Sequence, residues 1–600
     1  MIGGAGRDLC KEEFVILNSL YDAAMSRAGI TADVFLNKAQ GSMDTLMRLR
    51  DAGYVDRESG ALTEHGLAAL EPYRVDNAVI LAAGSATRFI PLSLEQPKAL
   101  YEVRGEKLIE RQIQQLQEAG IRDITVVLGY KKEMFSYLRE KYGVRFIFNP
   151  SYNIRNNIES LYLARAELKN TYICTCDSYF TENPFHQFEY QSFNAGYSTP
   201  TQESEMYVRI DETNRIIEMQ PDMDGGLMLL GHAYWQADFS AAFTALAEAD
   251  RDVGKYRSVF WEWMVMDKLG QLPPFYFKEY APDSIYEFDY FEQLRQFDTV
   301  YVGHARSEIL RNIKLVFRCD EEDIIEFRNI HEGLTNTSFI FRIDGTDYIY
   351  RHPGEGTERI INRRNEKQSL IRAKEYGIDP TYIYMDVIEG WKISRFVSDF
   401  RVPDYSSFED SKRVIALLRK LHSLPVRVEY GLDPWEDGLV LERLVREKDP
   451  ESFLPYEKLK ARVETLYRRT QGDSVEKCFC HGDTYRPNWM LLPDGGVILI
   501  DWEYSGFSDP GVDVGYYIVD AMYEEKEGRR FIREYLGDDW TEEKEFHFMA
   551  YTAIIAYYWF VWAVYRESCG ADIGDVRTNW LCMAQKYTGY LTGDLDEAEN

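Results

Sequence analysis

From Asp76 onward the chain repeats one short pattern. NAVILAAG, DITVVLGY and VRFIFN are apolar runs too short to be helices, and LIERQIQQLQEAG and KEMFSYLREKYG sit between them with helical spacing. Strand and helix in alternation require a parallel sheet with crossover helices, which leaves few topologies open. The pattern occupies residues 76–300. Residues 1–75 are mostly helical. Residues 301–600 begin afresh with the strand-like stretches SFIFRI and DYIYRH and become largely helical, with one strand pair between Gly482 and Asp501. At 600 residues the chain is too long for one hydrophobic core, so three domains with these boundaries are expected.

Charge removes one class of function. The formal net charge is −30, and phosphate-backbone binding needs clustered Lys and Arg, so nucleic acid is not expected as a main partner. Nucleotides remain compatible if local cations and Mg²⁺ accompany them. Residues 1–75 close with YVDRESGALTEHGLAAL, which reads as strand, polar turn, strand, helix, a winged-helix pattern. Its QGSMDTLMRLRDAGY stretch carries Arg48 and Arg50 but also Asp44 and Asp51, which favours a packing, dimerisation or regulatory module over a DNA reader. The start MIGGAGRDLC has no basic segment followed by an apolar run, so a cytoplasmic protein without a signal peptide is expected. Cys174/Cys176 and Cys478/Cys480 occupy alternate positions and would share a strand face. The two pairs fall in different domains, so buried reduced thiols are expected rather than a shared zinc site.

The stretch VILAAGSATRFIPLSLEQPKAL follows the first strand directly. Leu81, Ala82, Ala83 and Gly84 bring the backbone close to a ligand, so that the following N–H groups can cradle phosphates. Arg88 and Lys98 add cations around Pro91 and Pro97. This ordered set resembles the signature of the nucleoside-triphosphate transferase family, which includes sugar-1-phosphate and phosphocholine nucleotidyltransferases. Ala86 departs from the pattern, because many members carry Gly there. The resemblance implies a Rossmann-like domain with a mixed sheet and Mg²⁺ held by two carboxylates. Asp177, at the end of YICTCDSYF, and Asp289, in DSIYEFDYFEQL, take those positions; a strand-end cap and a helix N-cap are the plain structural alternatives. NNIESLYLA resembles the family's base-and-substrate loop, with Asn156 and Ser160 as nucleotide contacts.

FCHGDTYRPNWMLLPDGGVILIDWEYSGFSDPGVDVGYY carries His481, Gly482, Asp483, Asn488 and Asp501. Asp483 and Asn488 have the spacing of a kinase catalytic loop, in which the Asp takes the proton of the attacking hydroxyl and the Asn holds Mg²⁺. Asp501 follows where a second metal ligand belongs. HGD in place of HRD, and IDWE in place of DFG, resemble the choline kinase and aminoglycoside phosphotransferase superfamily, with its two-lobed protein-kinase-like fold. Upstream, GLTNTSFIF offers a phosphate-covering turn with Thr335 and Asn336. Arg351 takes the place of the phosphate-pairing cation and Glu366 that of its helix partner; a surface strand residue is the plain reading of Arg351.

The run YYWFVW, Tyr557–Trp562, is aromatic at all positions but one. It lies in the uncharged stretch Phe548–Tyr565, which reads as a buried helix because Tyr, Trp, Thr and Ala replace the aliphatic residues of a membrane span; no stable membrane insertion is expected. A quaternary ammonium has no N–H and is recognised by ring faces. Trp559 and Trp562 share one helix face, and choline kinases carry a similar pair, so Trp559 and Trp562 with Tyr504 and Asp520 form an expected choline pocket, with plain core as the alternative. The whole chain resembles bacterial fusions of phosphocholine cytidylyltransferase and choline kinase that supply phosphocholine for cell-surface glycans. The resemblance implies choline, phosphocholine, ATP and CTP as small-molecule partners, and a homo-oligomer is compatible with it. A sugar-1-phosphate nucleotidyltransferase joined to a sugar or aminoglycoside kinase is the second reading, and a winged-helix regulator with metabolite-sensing domains the third.

Overall fold

A computed structural model describes residues 9–25, 43–199, 205–221, 226–298, 307–330, 336–354, 361–571 and 573–593. The chain divides into two compact units, Met1–Leu315 and Val316–Asn600.

The first unit is built on a nine-stranded sheet among the described residues. Its centre is β1 (Asn77–Ala82), hydrogen-bonded in parallel to β2 (Ile124–Leu128) and β4 (Thr171–Thr175); β3 (Arg145–Phe148) extends the β2 side in parallel. All six β1 residues are buried, as a strand covered on both faces must be. Short β5 (Ser178–Phe180) follows β4. The far half turns antiparallel through β6 (Phe193–Thr199), β7 (Met206–Ile210), β8 (Ile216–Pro221) and β9 (Gly226–Trp235), and β10 (Tyr276–Glu279) closes that edge against β6. The sheet is therefore mixed. β11 (Ile285–Glu287) pairs with β5 outside it and delivers Asp289 to the β4 end.

The amino-terminal residues pack as α1 (Lys11–Met25), α2 (Met43–Asp51) and α3 (Glu64–Leu70), with a single antiparallel bridge, Val55 to Leu62, where two strands were expected. Residues 26–42 lie outside the description, so the winged-helix pattern is described only in part. Thr63 caps α3 by accepting from Gly66 N at 3.0 Å. The α1 residue Phe14 packs on Tyr73 and Tyr190, and Tyr21 meets Phe188 edge-on, so one face of α1 is spent on the residues around Phe188 and Tyr190.

The second unit begins with a five-stranded antiparallel sheet of β12 (Ile325–Ile330), β13 (Thr337–Ile343), β14 (Thr346–His352), β15 (Tyr382–Met385) and β16 (Lys392–Arg395), in the order β12-β13-β14-β16-β15. α4 (Arg363–Glu375) supplies Glu366. The helical part contains α5 (Phe408–His422), α6 (Gly511–Asp520), α7 (Glu525–Leu536), α8 (Glu542–Ser568) and α9 (Val576–Thr592). Two small antiparallel pairs organise the segment from His481 to Asp501: β17 (Cys478–Cys480) and β20 (Gly506–Ser508) flank it, and β18 (Trp489–Leu491) and β19 (Val497–Leu499) lie within it. α8 is long and apolar enough to cross a membrane, yet 94% of its apolar window is buried inside the protein. It is the central helix of the second unit's core.

Candidate active sites

In the first unit β1 runs straight into the loop Ala83–Ala86. Leu81, Ala82 and Ala83 are buried, and a Cβ at Gly84 would meet nothing within 4 Å, so the loop's outer side is open to a ligand. Ala86 adopts φ 49°, in the left-handed region. That explains the family preference for Gly at this position: Ala is tolerated there at a cost of about 1 kcal/mol. Lys98 is buried, and its Nζ donates to Asp177 Oδ2 at 2.8 Å. Burial alone would lower the lysine's pKa, but Asp177 reverses this and raises it. Asp177 answers in kind: burial opposes ionisation, Lys98 favours it, and the carboxyl ends below its ordinary value. Asp177 Oδ1 is buried without a hydrogen-bond partner. Arg88 Nη1 stands 3.9 Å from Asp289 Oδ1. Asp289 is not the helix cap, since the helix Phe291–Phe297 takes Tyr290 in that position. Each expected carboxylate therefore comes with one of the expected cations.

Asn156 caps the helix Asn157–Leu163, and Ser160 is buried and accepts from Asn149 Nδ2 at 3.0 Å. Ser160 thus works inside the protein, whereas Asn156 is half-buried at the helix entrance. A carboxylate that the sequence reading passed over, Glu287, lies beside Asp177. Its Oε1 accepts from Gly231 N at 2.7 Å and from Ser178 Oγ at 3.0 Å. Burial, then the charge of Asp177, pushes its pKa above the ordinary carboxylate value.

In the second unit Arg351, on β14, is buried at the centre of a charge network. It bonds Glu366, donates to Asp501 Oδ1 at 2.5 Å and reaches Glu503 Oε2 at 3.5 Å. It is not a surface strand residue. Lys392, opposite Arg351 on β16, was missed from sequence; its Nζ lies 3.4 Å from Asp501 Oδ1 and 3.7 Å from Glu366 Oε1. Burial would raise the Asp501 carboxyl, but Lys392 and Arg351 hold it at about 2. Asp501 also has φ 69°, a strained backbone of the kind that persists at functional sites. Asn336 Nδ2 donates to Glu503 Oε2 at 3.1 Å, and Asn336 Oδ1 accepts from Gly354 N at 3.3 Å. Thr335 lies outside the described residues.

Asp483 and Asn488, the residues expected to form a catalytic loop, are in contact. Asn488 Nδ2 donates to Asp483 Oδ2 at 3.0 Å and to Asp483 O at 3.0 Å. Burial, then Asp501 and Glu503, raises the Asp483 pKa well above the ordinary carboxylate range. Gly482 has φ 84°, and a Cβ there would meet Tyr504 O at 2.3 Å, so only glycine fits. Asp513, another residue missed from sequence, fixes the loop: its Oδ2 accepts from His481 N at 2.8 Å and its Oδ1 from Gly482 N at 2.7 Å.

The aromatic residues form one cluster. Trp559 stacks on Tyr516 with ring centroids 4.7 Å apart and meets Trp562 at 5.3 Å, Tyr504 at 5.2 Å and Trp580 at 5.6 Å. Trp562 Nε1 donates to Tyr504 Oη at 2.9 Å. Trp559 and Trp562 are only 2% and 3% exposed, so both serve as core in this conformation. Asp520 accepts from Tyr405 and from Arg486 N, and burial raises its pKa to about 6.

Comparison with known proteins agrees with this division of labour. Residues 78–257 match the MobA-like NTP transferase domain, and residues 326–546 match the phosphotransferase enzyme family. The choline-phosphate cytidylyltransferase of Streptococcus pneumoniae is 34% identical over 223 residues, 37% of this chain and 97% of that protein. Protein LicA of Haemophilus influenzae is 23% identical over 285 residues, 45% of this chain and 82% of that protein. The crystal structure of choline kinase LicA from Streptococcus pneumoniae superposes with a TM-score of 0.42 at 26% identity, covering 48% of this chain and 99% of that one. Through residues 78–257, which match the MobA-like NTP transferase domain, the chain belongs to the family of the bacterial choline-phosphate cytidylyltransferases, and it carries a phosphotransferase-family domain fused behind it.

Proposed function

We propose that the chain makes CDP-choline in two steps: ATP phosphorylates choline, and the phosphocholine formed reacts with CTP to release pyrophosphate. The observation that carries the reading is the position of the aromatic cluster. Gly482, next to Asp483, packs so closely on the Tyr504 backbone that a Cβ would meet its carbonyl oxygen at 2.3 Å, and the Tyr504 ring meets Trp559 at 5.2 Å while its hydroxyl accepts from Trp562 Nε1 at 2.9 Å. A proton-accepting carboxylate beside stacked rings suits an alcohol that carries a quaternary ammonium, and suits a polyhydroxylated sugar poorly.

In the kinase step Asp483 accepts the proton of the choline hydroxyl as its oxygen attacks the γ-phosphorus and ADP leaves. Asn488 holds the Asp483 side chain in place. Arg351 and Lys392 face the phosphates, and Glu366 fixes both cations. Tyr504, Trp559 and Trp562 receive the trimethylammonium head after a modest opening of the cluster, with Asp520 at its rim. In the transferase step a phosphocholine oxygen attacks the α-phosphorus of CTP, and the loop from Leu81 to Gly84 with Arg88 and Lys98 stabilises the charge on the leaving pyrophosphate. Asn156 lies in the stretch assigned to the cytosine. The all-oxygen donor pairs Asp177 with Asp289 and Asn488 with Asp501 suit Mg²⁺, and the unpartnered Asp177 Oδ1 supports this for the first pair. When bound, Mg²⁺ offsets the negative charge of the phosphates.

We read the first 75 residues as a winged-helix-like packing module and the protein as a cytoplasmic multifunctional enzyme. The test is phosphorus NMR of the purified protein with ATP, CTP and Mg²⁺, offered choline, ethanolamine or hexoses in parallel. CDP-choline as the dominant product supports the reading, and turnover of a hexose in preference to choline rejects it.

A further inference from the structure

Directly behind the kinase loop lies a second set of chemical groups that phosphoryl transfer does not use. β17 leads without a break into His481 and Gly482, and its Cys478 and Cys480 sit on one strand face with their sulfurs 3.6 Å apart. His422, the last residue of α5, completes the group; one ligand atom from each of the three lies within 4.8 Å of the others. No other such group of three occurs among the described residues. The sequence reading set a metal aside because it paired these cysteines with Cys174 and Cys176. The third ligand instead comes from His422, far from them along the chain.

We propose that Cys478, Cys480 and His422 bind one zinc-class divalent ion. The geometry favours this over two incidental thiols. Tetrahedral zinc with Zn–S of about 2.3 Å places two sulfurs about 3.8 Å apart, close to the spacing found, and the imidazole has to approach by at most about 1 Å. The imidazole is also prepared for the role. Its Nε2 lies 2.9 Å from Asp513 Oδ2, the carboxylate–histidine arrangement that orients metal-bound imidazoles. With Nε2 engaged by Asp513, Nδ1 is the nitrogen left for an ion, and it now lies 2.7 Å from the Tyr535 hydroxyl. On metal binding that hydroxyl turns aside, and water completes the fourth position. Cys480 makes weak S–H contacts to Ser508 O and Asp509 O, each 3.5 Å away. Both thiols lose their protons to solvent on binding, so one ion with two thiolates and neutral His422 forms a neutral centre, and affinity rises with pH. The site is wired to catalysis, because the carboxylate that holds His422 also holds the backbone N–H groups of His481 and Gly482.

The experiment uses the full chain, phosphine-reduced and chelator-stripped, with excess Mg²⁺ present to fill oxygen sites. Co²⁺ is titrated in, followed by Zn²⁺. A thiolate-to-cobalt charge-transfer band should appear, saturate at one equivalent per chain and be displaced by Zn²⁺; carboxylate sites give no such band. Cys478→Ser and Cys480→Ser should each lose it, and Cys569→Ser should keep it. If Cys480→Ser fails to fold, wild-type protein alone decides: zinc should slow alkylation of Cys478, followed by peptide mass spectrometry, by about tenfold or more. Absence of the band, its survival in Cys478→Ser, or an unchanged Cys478 alkylation rate would each overturn the proposal.

Discussion

The aromatic pocket yields the sharpest prediction, and burial dictates the choice of variant. Trp562 is 3% exposed and Trp559 2%, so replacing either by Ala opens a cavity costing roughly 3–5 kcal/mol, which would confuse binding with folding. Trp562→Phe keeps most of the volume. It removes the Nε1 hydrogen bond to Tyr504, worth about 1 kcal/mol, and exchanges the strongest cation-binding ring for a weaker one. A desolvated cation–π contact contributes about 2 kcal/mol, so losing half or all of it raises the choline KM by roughly five- to thirtyfold. The ATP KM should stay unchanged, because Trp562 meets Trp559, Trp580 and Tyr504 rather than Arg351 or Lys392. Ethanolamine, which donates hydrogen bonds, should lose less than choline. The assay is steady-state kinase kinetics with both alcohols, with melting temperatures measured alongside. An unchanged choline KM in a folded Trp562→Phe protein, or equal rises for choline and ATP with a falling Tm, would refute the cage and leave the run as core.

Lys98→Met removes the cation beside Asp177 and should cut cytidylyl transfer by ~10²–10³-fold while kinase turnover, read in a coupled ADP assay, is unaffected. Lys392→Met should lower the kinase kcat/KM for ATP by ~10²-fold, about 2.7 kcal/mol, because Asp501 and Glu366 are left to Arg351 alone; unchanged ATP kinetics would remove Lys392 from the site. Glu545 reports on acid stability: burial opposes its ionisation, but Arg533, Trp540 and Arg529 hold it at about 2. A depressed carboxyl contributes stability that is complete above its ordinary value of 4.5 and is lost as pH falls towards 2, so urea midpoints of Glu545→Gln should be lower than wild type at pH 7 and converge on it in acid.

What could be read in the sequence was what is local in the chain. Asp483, Asn488 and Asp501 sit on one loop and the next hairpin, so their spacing encodes their meeting; the same holds for the β1 loop that carries Gly84. Lys98 and Asp177 are far apart in sequence but each ends a strand-linked motif, and parallel β1 and β4 bring them together. Lys392 carries no motif. It reaches the site only because antiparallel pairing sets it opposite Arg351, and register cannot be read from one strand. Glu287, two positions before Asp289, became legible only once β11 was seen to pair with β5. Asp513 lies inside the quoted motif and still escaped notice, since its work is to bond backbone N–H groups. The aromatic run showed that rings were needed but not how tightly they close. Ala86 looked like a departure, and its left-handed backbone shows which property the more usual glycine supplies.

The central claim is that one chain holds two independent sites acting in sequence. It is tested by following phosphorus NMR time courses of Asp483→Ala and Asp177→Ala proteins with choline, ATP, CTP and Mg²⁺. The account predicts that Asp483→Ala makes no phosphocholine but converts supplied phosphocholine to CDP-choline at the wild-type rate. Asp177→Ala should accumulate phosphocholine and form CDP-choline ~10²–10⁴-fold more slowly. Loss of both reactions in either folded variant, or full CDP-choline synthesis from choline in both, would contradict it.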